Sequence, residues 1–466
     1  MPENSDPELR ELIDPEVLRL PLGFQRIFVK DVLPLDVEER LMVTNAKYRS
    51  KEGPRGTEKP TTKIVATGKH GLPSSEDLEP PLEAKLNRSE MDTGKDSERG
   101  SERSSEANKK ARFDPDLLGQ HYLRLFSDCI PVQGTAWSAI YDLTRGEIIR
   151  FRTEYYAVLK HLTRGKLKDQ LEPFAEPSQK ARVAEFLTYL FDNELIHSTR
   201  TPEVFPAIEE FWDAPGILQN AVIDVDQEMH DFAGVFAQLD DLGCRVVQIR
   251  GFSNLLGLSA LERIVPLARH KSIECLELII QHEAERSDSD YARFASDNPM
   301  VVQLVVHSAP EDRDVVAPSD GELPDELSNE IRFTTQRIDS EQHCGVISLS
   351  TLSAPSPTTF FENKLFNGCL NRKIAIDATG HIKNCPSMAA SFGNVRDTRL
   401  SDVVRQTRFQ EKWSVTKDQI DTCRGCELRY ACSDCRAYVE DSKNGYGKPL
   451  KCGYEPALGV WSDRCE

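Results

Sequence analysis

The sequence predicts a multidomain α+β protein built from a winged-helix-like module, a partial parallel βα barrel and a cysteine-rich C-terminal region. Three observations carry that expectation. Within residues 116–205 a strand–turn–strand pattern is followed by two amphipathic helices. Within residues 215–340 apolar strand segments alternate with helical ones, the mark of parallel βα units. Within residues 341–466 lie nine of the chain's twelve cysteines, with few long helical repeats around them.

Residues 1–115 are expected to be mostly a disordered extension. "LGFQRIFVKDVL" has the composition of one short element, but Met91 to Arg112 carries almost no apolar residues and cannot bury enough surface to fold. The module at 116–205 opens with the strand "TAWSAIYDL", the turn "TRG" and the returning strand "EIIRF". A helix follows with Thr153 at its N-cap and Gly165 past its end. The next helix places Val183, Phe186, Leu187, Leu190, Phe191 and Leu195 on one stripe, and "LIHST" reads as a closing strand.

Between 215 and 340, "NAVIDVD", "CRVVQI", "SIECLELII", "MVVQLVV" and "IRFTT" read as strands. The helix after the first carries Phe232, Val235, Phe236 and Leu239 on one face, and Gly243 ends it. "SALERIVPLARH" shows Ser259 and Glu262 in capping-box spacing, with Pro266 kinking or ending the helix. Four or five such units are too few for a closed eight-fold barrel. In the last region "RKIAIDATGHIKNC" predicts a hairpin turning at Thr379-Gly380, and "TRLSDVVRQTRFQEKW" predicts one helix.

Composition narrows the function. A formal net charge of −18 argues against nucleic acid, whose phosphates need a basic face. The second module helix has one arginine against three acids, so it is no DNA-reading helix. No apolar stretch reaches bilayer length, and the acidic N-terminus lacks a signal-peptide core. A reducing, cytoplasmic setting is therefore expected, and there twelve cysteines are better explained by metal than by disulfides.

Their spacing supports metal. Cys369 is followed by ten residues, Gly380, four residues and Cys385; then Cys423-x2-Cys426-x5-Cys432-x2-Cys435, and Cys452 closes the set. A CxxC turn puts two sulfurs on one side of a tight loop, and a hairpin with a cysteine on each arm does so at longer range. Thiolate sets of this kind hold zinc or an iron–sulfur cluster, and spacing alone does not separate the two.

The ordered pattern resembles the SPASM domain, which follows radical S-adenosylmethionine barrels in peptide-modifying enzymes and carries auxiliary 4Fe-4S clusters. "FNGCLNRKIAIDATGHIKNCPSM", "CRGCELRYACSDCRAY" and "KPLKCGYEP" are similar in particular to the SPASM protein of grasp-with-spasm systems, over about residues 340–460. The resemblance implies a component of ribosomal peptide maturation that binds a precursor peptide and acts with an ATP-grasp ligase. It also implies two 4Fe-4S clusters. Cys423, Cys426, Cys432 and Cys452 would hold one; Cys369, Cys385 and Cys435 would hold the other, with Cys344 as the fourth ligand. Only Ser433 and Asp434 separate the last two cysteines of the run, one residue fewer than in many SPASM domains. Cys465 is expected to be a free thiol, and Cys129, Cys244 and Cys275 buried small hydrophobes.

No CxxxCxxC occurs anywhere in the chain, so ordinary radical S-adenosylmethionine cleavage is not expected. Nor is there a GxxxxGK[ST], HExxH, GxSxG or GxGxxG motif, so ligation with ATP would belong to the partner. Asp224, Asp226, His230, Arg250 and His307 stand at strand ends where βα-barrel sites form, and their ordinary reading is structural or solvated. The catalytic residues are thus unknown from sequence. The alternative from another class is a non-catalytic adaptor holding two zinc ions.

Overall fold

The computed structural model describes residues 25–27, 119–174, 176–316, 330–441 and 444–462. All of these belong to one compact unit. The disorder expected across most of 1–115 lies outside the described residues, as does Cys465. The one exception is the short element expected near residue 25, a strand β1 (Gln25–Ile27).

The hairpin is β4 (Trp137–Asp142) and β5 (Glu147–Arg152), paired from Trp137↔Arg152 to Asp142↔Glu147. With β3 (Cys129–Val132) it forms an antiparallel sheet of order β1-β5-β4-β3. Both faces of this sheet are buried, and strand alternation explains how. Ile140, Ile149 and Phe151 face helices α1 (Glu154–Leu162) and α3 (Pro177–Asp192), separated by the short α2 (Leu167–Leu171). Ala139, Tyr141 and Ile148 face the other way, onto Leu428 and Tyr430 of the cysteine-rich region. The expected stripe on α3 is buried at Val183, Phe186, Leu187 and Leu190. Thr153 does cap α1 in position, but its hydroxyl donates to the Gly134 carbonyl at 2.7 Å and contacts Ser138 instead of the helix. The closing strand β6 (Ile196–Thr199) pairs with β2 (Tyr122–Leu125), not with the hairpin.

The second sheet has eight strands in the order β11-β12-β10-β9-β8-β7-β13-β14. Its parallel part runs through β12 (Glu330–Phe333), β10 (Val301–His307), β9 (Cys275–Gln281), β8 (Val246–Gly251), β7 (Asn220–Val225) and β13 (Lys373–Ile376). The edges are antiparallel, β11 (Arg313–Val316) and β14 (Ile382–Lys383), so the sheet is open. Strands β13 and β14 are the hairpin expected at 372–385, with Gly380 at φ +85° in its turn, a backbone that glycine adopts without strain. The first cysteine-bearing hairpin thus extends the βα sheet instead of standing apart from it.

One face of this sheet is apolar. Ala221, Ile223, Val247, Ile249, Leu276, Leu278, Ile374 and Ile376 meet α4 (Phe232–Asp241), α5 (Leu258–Ile264) and α6 (Asp288–Asp297) in a single core. The alternate residues Asp224, Gln248, Arg250, Glu277 and Lys373 fall on the opposite, polar face.

Two local expectations fail. The capping box at Ser259 and Glu262 does not form, because α5 starts earlier at Gly257. The orphan amide of Leu258 donates instead to Glu283 Oε2 at 2.8 Å, and Pro266 falls just beyond the helix end. The single helix expected over 398–413 is two short ones, α8 (Leu400–Val404) and α9 (Thr407–Gln410), which follow α7 (Pro357–Leu365). Gln406 is extended between them, which turns Phe409 into the core, where its carbonyl accepts from Asn384 Nδ2 at 2.9 Å. Among the described residues no helix is long and apolar enough to cross a membrane.

Two candidate thiol sites

Cys369 stands four residues before the start of β13 at Lys373, and Cys385 follows β14. The hairpin register Ala375↔Lys383 and Ile376↔Ile382, continued outward, places Cys385 opposite Lys373. The strand pairing alone therefore brings these two cysteines to the same end of the hairpin. Lys373 Nζ lies 3.7 Å from Cys369 Sγ. A cavity of about 330 Å³ opens beside them, lined by Cys344, Cys369, Cys385, Cys432 and Cys435. Gly345, at φ +87°, lets the backbone next to Cys344 approach: a Cβ there would stand 2.9 Å from Cys435 Sγ. Cys344 itself is exposed.

The remaining cysteines gather elsewhere. Cys423–Gly425 is a 3-10 turn whose end projects Cys426, and the Cys426 amide donates to the Cys423 carbonyl at 2.9 Å. Cys423, Cys426, Cys432 and Cys452 line a second cavity, of about 30 Å³, together with Leu428, Tyr454 and Trp461. Lys417 Nζ donates to Cys432 Sγ at 2.8 Å.

Electrostatic neighbours divide the thiols the same way. Burial pushes Cys385 up to about 11, and the other sulfurs acting on it are Cys369 and Cys344. Cys369 and Cys435 are also raised first by burial, each with Cys344 as a neighbour. Burial pushes Cys423 up to about 12, with Cys432 and Cys452 beside it, and raises Cys426 strongly, with Cys432 and Cys423 beside it. All eleven cysteines among the described residues are free. Cys129, Cys244 and Cys275 are buried within the apolar cores or at their margins.

A buried ion pair lies near each site. Near the larger cavity Arg250 grips Asp224 with two bonds, Nε to Oδ1 at 2.7 Å and Nη2 to Oδ2 at 2.9 Å. Burial lowers Arg250, but Asp224 and then Cys344 and Cys385 outweigh it, so its charge is held. At the smaller cavity Arg150 of β5 donates to Glu427 Oε1 at 2.8 Å, and Tyr454 donates to the same oxygen at 2.5 Å. Glu427 is fully buried, and the neighbouring Gly134 could not carry a Cβ without meeting the Trp137 carbonyl and the Glu427 amide.

The five strand-end residues engage one another, nearby backbone or Ser253. Asp224 and Arg250 hold each other. His230 Nε2 donates to the Asp224 carbonyl at 2.8 Å, and His307 Nε2 to the Gly251 carbonyl at 3.0 Å. The Asp226 carbonyl accepts from Ser253. Sequence reasoning missed Lys373, Lys417, Glu427 and Asp434. A signal existed for Asp434 alone, as the residue inside the shortened cysteine spacing; its φ of +74° is the backbone adjustment there.

Each cavity is lined by at least four thiols. Among the described residues no three His, Cys, Asp or Glu converge closely enough to grip a single ion. Four thiolates are the usual supply for 4Fe-4S, and the lysines beside Cys369 and Cys432 offset their negative charge.

Residues 369–427 match the SPASM family, described as an iron-sulfur cluster-binding domain. That span holds Cys369, Cys385, Cys423 and Cys426, while the other four site cysteines lie outside it. The chain is also 27% identical over 113 residues to the AdoMet-dependent heme synthase of Oleidesulfovibrio alaskensis, covering 23% of this chain and 29% of that one. It is 26% identical over 105 residues to the AdoMet-dependent heme synthase of Nitratidesulfovibrio vulgaris, covering 22% and 28%. The chain thus spans under a third of these relatives' length. A solved structure, the heterocyclase TruD, matches at 11% identity over 31% of this chain and 23% of that one; its TM-score of 0.15 carries no argument. The chain is thus similar over residues 369–427 to the SPASM iron-sulfur cluster-binding domain and, distantly, to AdoMet-dependent heme synthases.

Proposed function

We propose that this chain is a peptide-maturation component that binds a precursor peptide, acts with an ATP-grasp ligase and holds two 4Fe-4S clusters. Cys344, Cys369, Cys385 and Cys435 would hold one cluster, and Cys423, Cys426, Cys432 and Cys452 the other. The observation that carries the cluster reading is that all eight cysteines line two cavities, Cys344, Cys369, Cys385 and Cys435 the larger alone, Cys423, Cys426 and Cys452 the smaller alone, and Cys432 both. When bound, such clusters supply one-electron transfer or structural cross-linking. The chain's own part is to hold the thiols, shield them from water and keep lysines against them.

The peptide reading rests on the hairpin module, which we take as winged-helix-like. Strand addition gives affinity through main-chain hydrogen bonds. Strand β4 is interior to its sheet among the described residues, so docking would use the outer edge of β3 or replace β1 on β5. The open βα sheet we take as a degenerate radical S-adenosylmethionine barrel, without a site for that cofactor's cluster.

Protein purified without oxygen tests both parts. About eight irons per chain with equal sulfide supports two clusters; about two zincs and no iron supports the adaptor reading instead. Titration with the products of neighbouring short reading frames, with and without the ligase, tests the peptide role. A flat response to all of them removes it.

A further inference from the structure

Lys417 opens a 3-10 turn (Lys417–Gln419) and is only 4% exposed. Its ammonium has two partners: Cys432 Sγ at 2.8 Å and Asp434 Oδ1 at 3.4 Å. Asp434 is fixed in turn by Asn367 Nδ2 at 2.8 Å and Arg436 Nη2 at 2.8 Å, all of them buried. Asp434 lines the larger cavity, Lys417 the smaller, and Cys432 both. A charged wall therefore separates the two sites, with its cation bonded directly to one site's sulfur.

We propose that Lys417 sets the reduction potential of the Cys423/Cys426/Cys432/Cys452 site and that Asp434 tempers it. This rests on the reading that the site holds a 4Fe-4S cluster. Reduction adds one electron, hence one negative charge, to a cluster in a dry environment. A hydrogen-bonded ammonium stabilises that reduced form more than the oxidised one. Screening is weak at a buried site, so the effect persists at high salt. The carboxylate of Asp434 acts in the opposite sense, on the larger site whose cavity it lines and on the smaller through its ion pair with Lys417. Lys417 is thus a positioning residue for charge, not a ligand.

The test is a redox titration of the full anaerobic chain with dithionite, followed by electron paramagnetic resonance. The wave of the smaller site is identified by its loss in Cys426→Ala. Lys417→Met should keep its iron and lower that wave by at least tenfold in the reduction constant, about 59 mV for one electron. Lys417→Arg should stay near wild type. Asp434→Asn, which tolerates the positive φ, should move the same wave upward. A Lys417→Met protein with full iron and an unmoved potential overturns the proposal and leaves the cluster reading intact. If Lys417→Met loses iron, the direction for Asp434→Asn decides: a rise supports the proposal, no change or a fall overturns it. Wild-type protein without iron overturns both.

Discussion

The two thiol sites are built from similar parts and differ in what surrounds them. The larger, of about 330 Å³, borders the polar face of the parallel sheet and includes the exposed Cys344. The smaller, of about 30 Å³, is lined also by Leu428, Tyr454 and Trp461 and is joined to the antiparallel sheet through Arg150 and Glu427. A site with room and an exposed ligand suits exchange with solvent or substrate. A small site with buried or half-buried ligands suits structure or electron storage. The difference teaches that four cysteines do not fix a site's character; the sheet they dock against does.

The largest expected effect would break the division itself. Cys369→Ala should remove about half of the iron and leave the other site's spectrum intact, and Cys426→Ala should do the converse. Cys344→Ala should behave like Cys369→Ala. Iron analysis with electron paramagnetic resonance decides, and unchanged iron in the Cys344 variant would remove that residue from the ligand set.

The buried ion pairs sharpen the comparison next. Removing one partner of such a pair leaves an uncompensated buried charge, worth about 3–5 kcal/mol. Asp224→Asn should lower the unfolding free energy measured in urea by that order and disturb the larger site's spectrum. Glu427→Gln should lower it similarly and disturb the smaller site's. If each variant perturbs both spectra equally, the pairs do not serve separate sites. Gly134→Ala is a smaller perturbation of the same kind. Its new methyl meets backbone at Trp137 and Glu427, so overpacking of about 1–3 kcal/mol is expected, felt at the smaller site alone.

Much of the fold could be read from local pattern, and the failures have a common cause. The β4–β5 hairpin, the α3 stripe and the strands from Asn220 to His307 follow periodicity of two or 3.6, which the sequence carries directly. The joining of β13 to β7 does not, because it is a contact between segments about 150 residues apart in sequence. The break between α8 and α9 was hidden for a similar reason: the core's demand for Phe409 overrode local helix propensity. At the sites, cysteine spacing indicated thiolate chemistry. Lys417, Arg150 and Glu427 carry no spacing signal, since charged residues are ordinarily surface residues and only the tertiary fold shows that they are buried.

The smallest effect is in pH, and it separates the apo from the loaded chain. In the structure burial raises Cys385 to about 11 and Cys423 to about 12, against about 8.5 for an unfolded thiol. Below the unfolded value both states keep the proton, and this contribution to stability is fully present. Above it the unfolded chain releases its protons first, so stability falls until the folded values are passed. The apo chain should therefore lose urea resistance between about pH 8.5 and 11. Cys129 and Cys244, also raised by burial to about 12, add the same slope to both forms, so the difference between forms isolates the site thiols. A thiolate bound to metal has no proton to lose. The loaded chain should keep its midpoint over that range and weaken instead toward acid, where protons compete for the sulfurs. Urea midpoints at pH 7.5 and 9.5 for both forms make the comparison. Parallel slopes would show that the site thiols carry no metal in the loaded preparation.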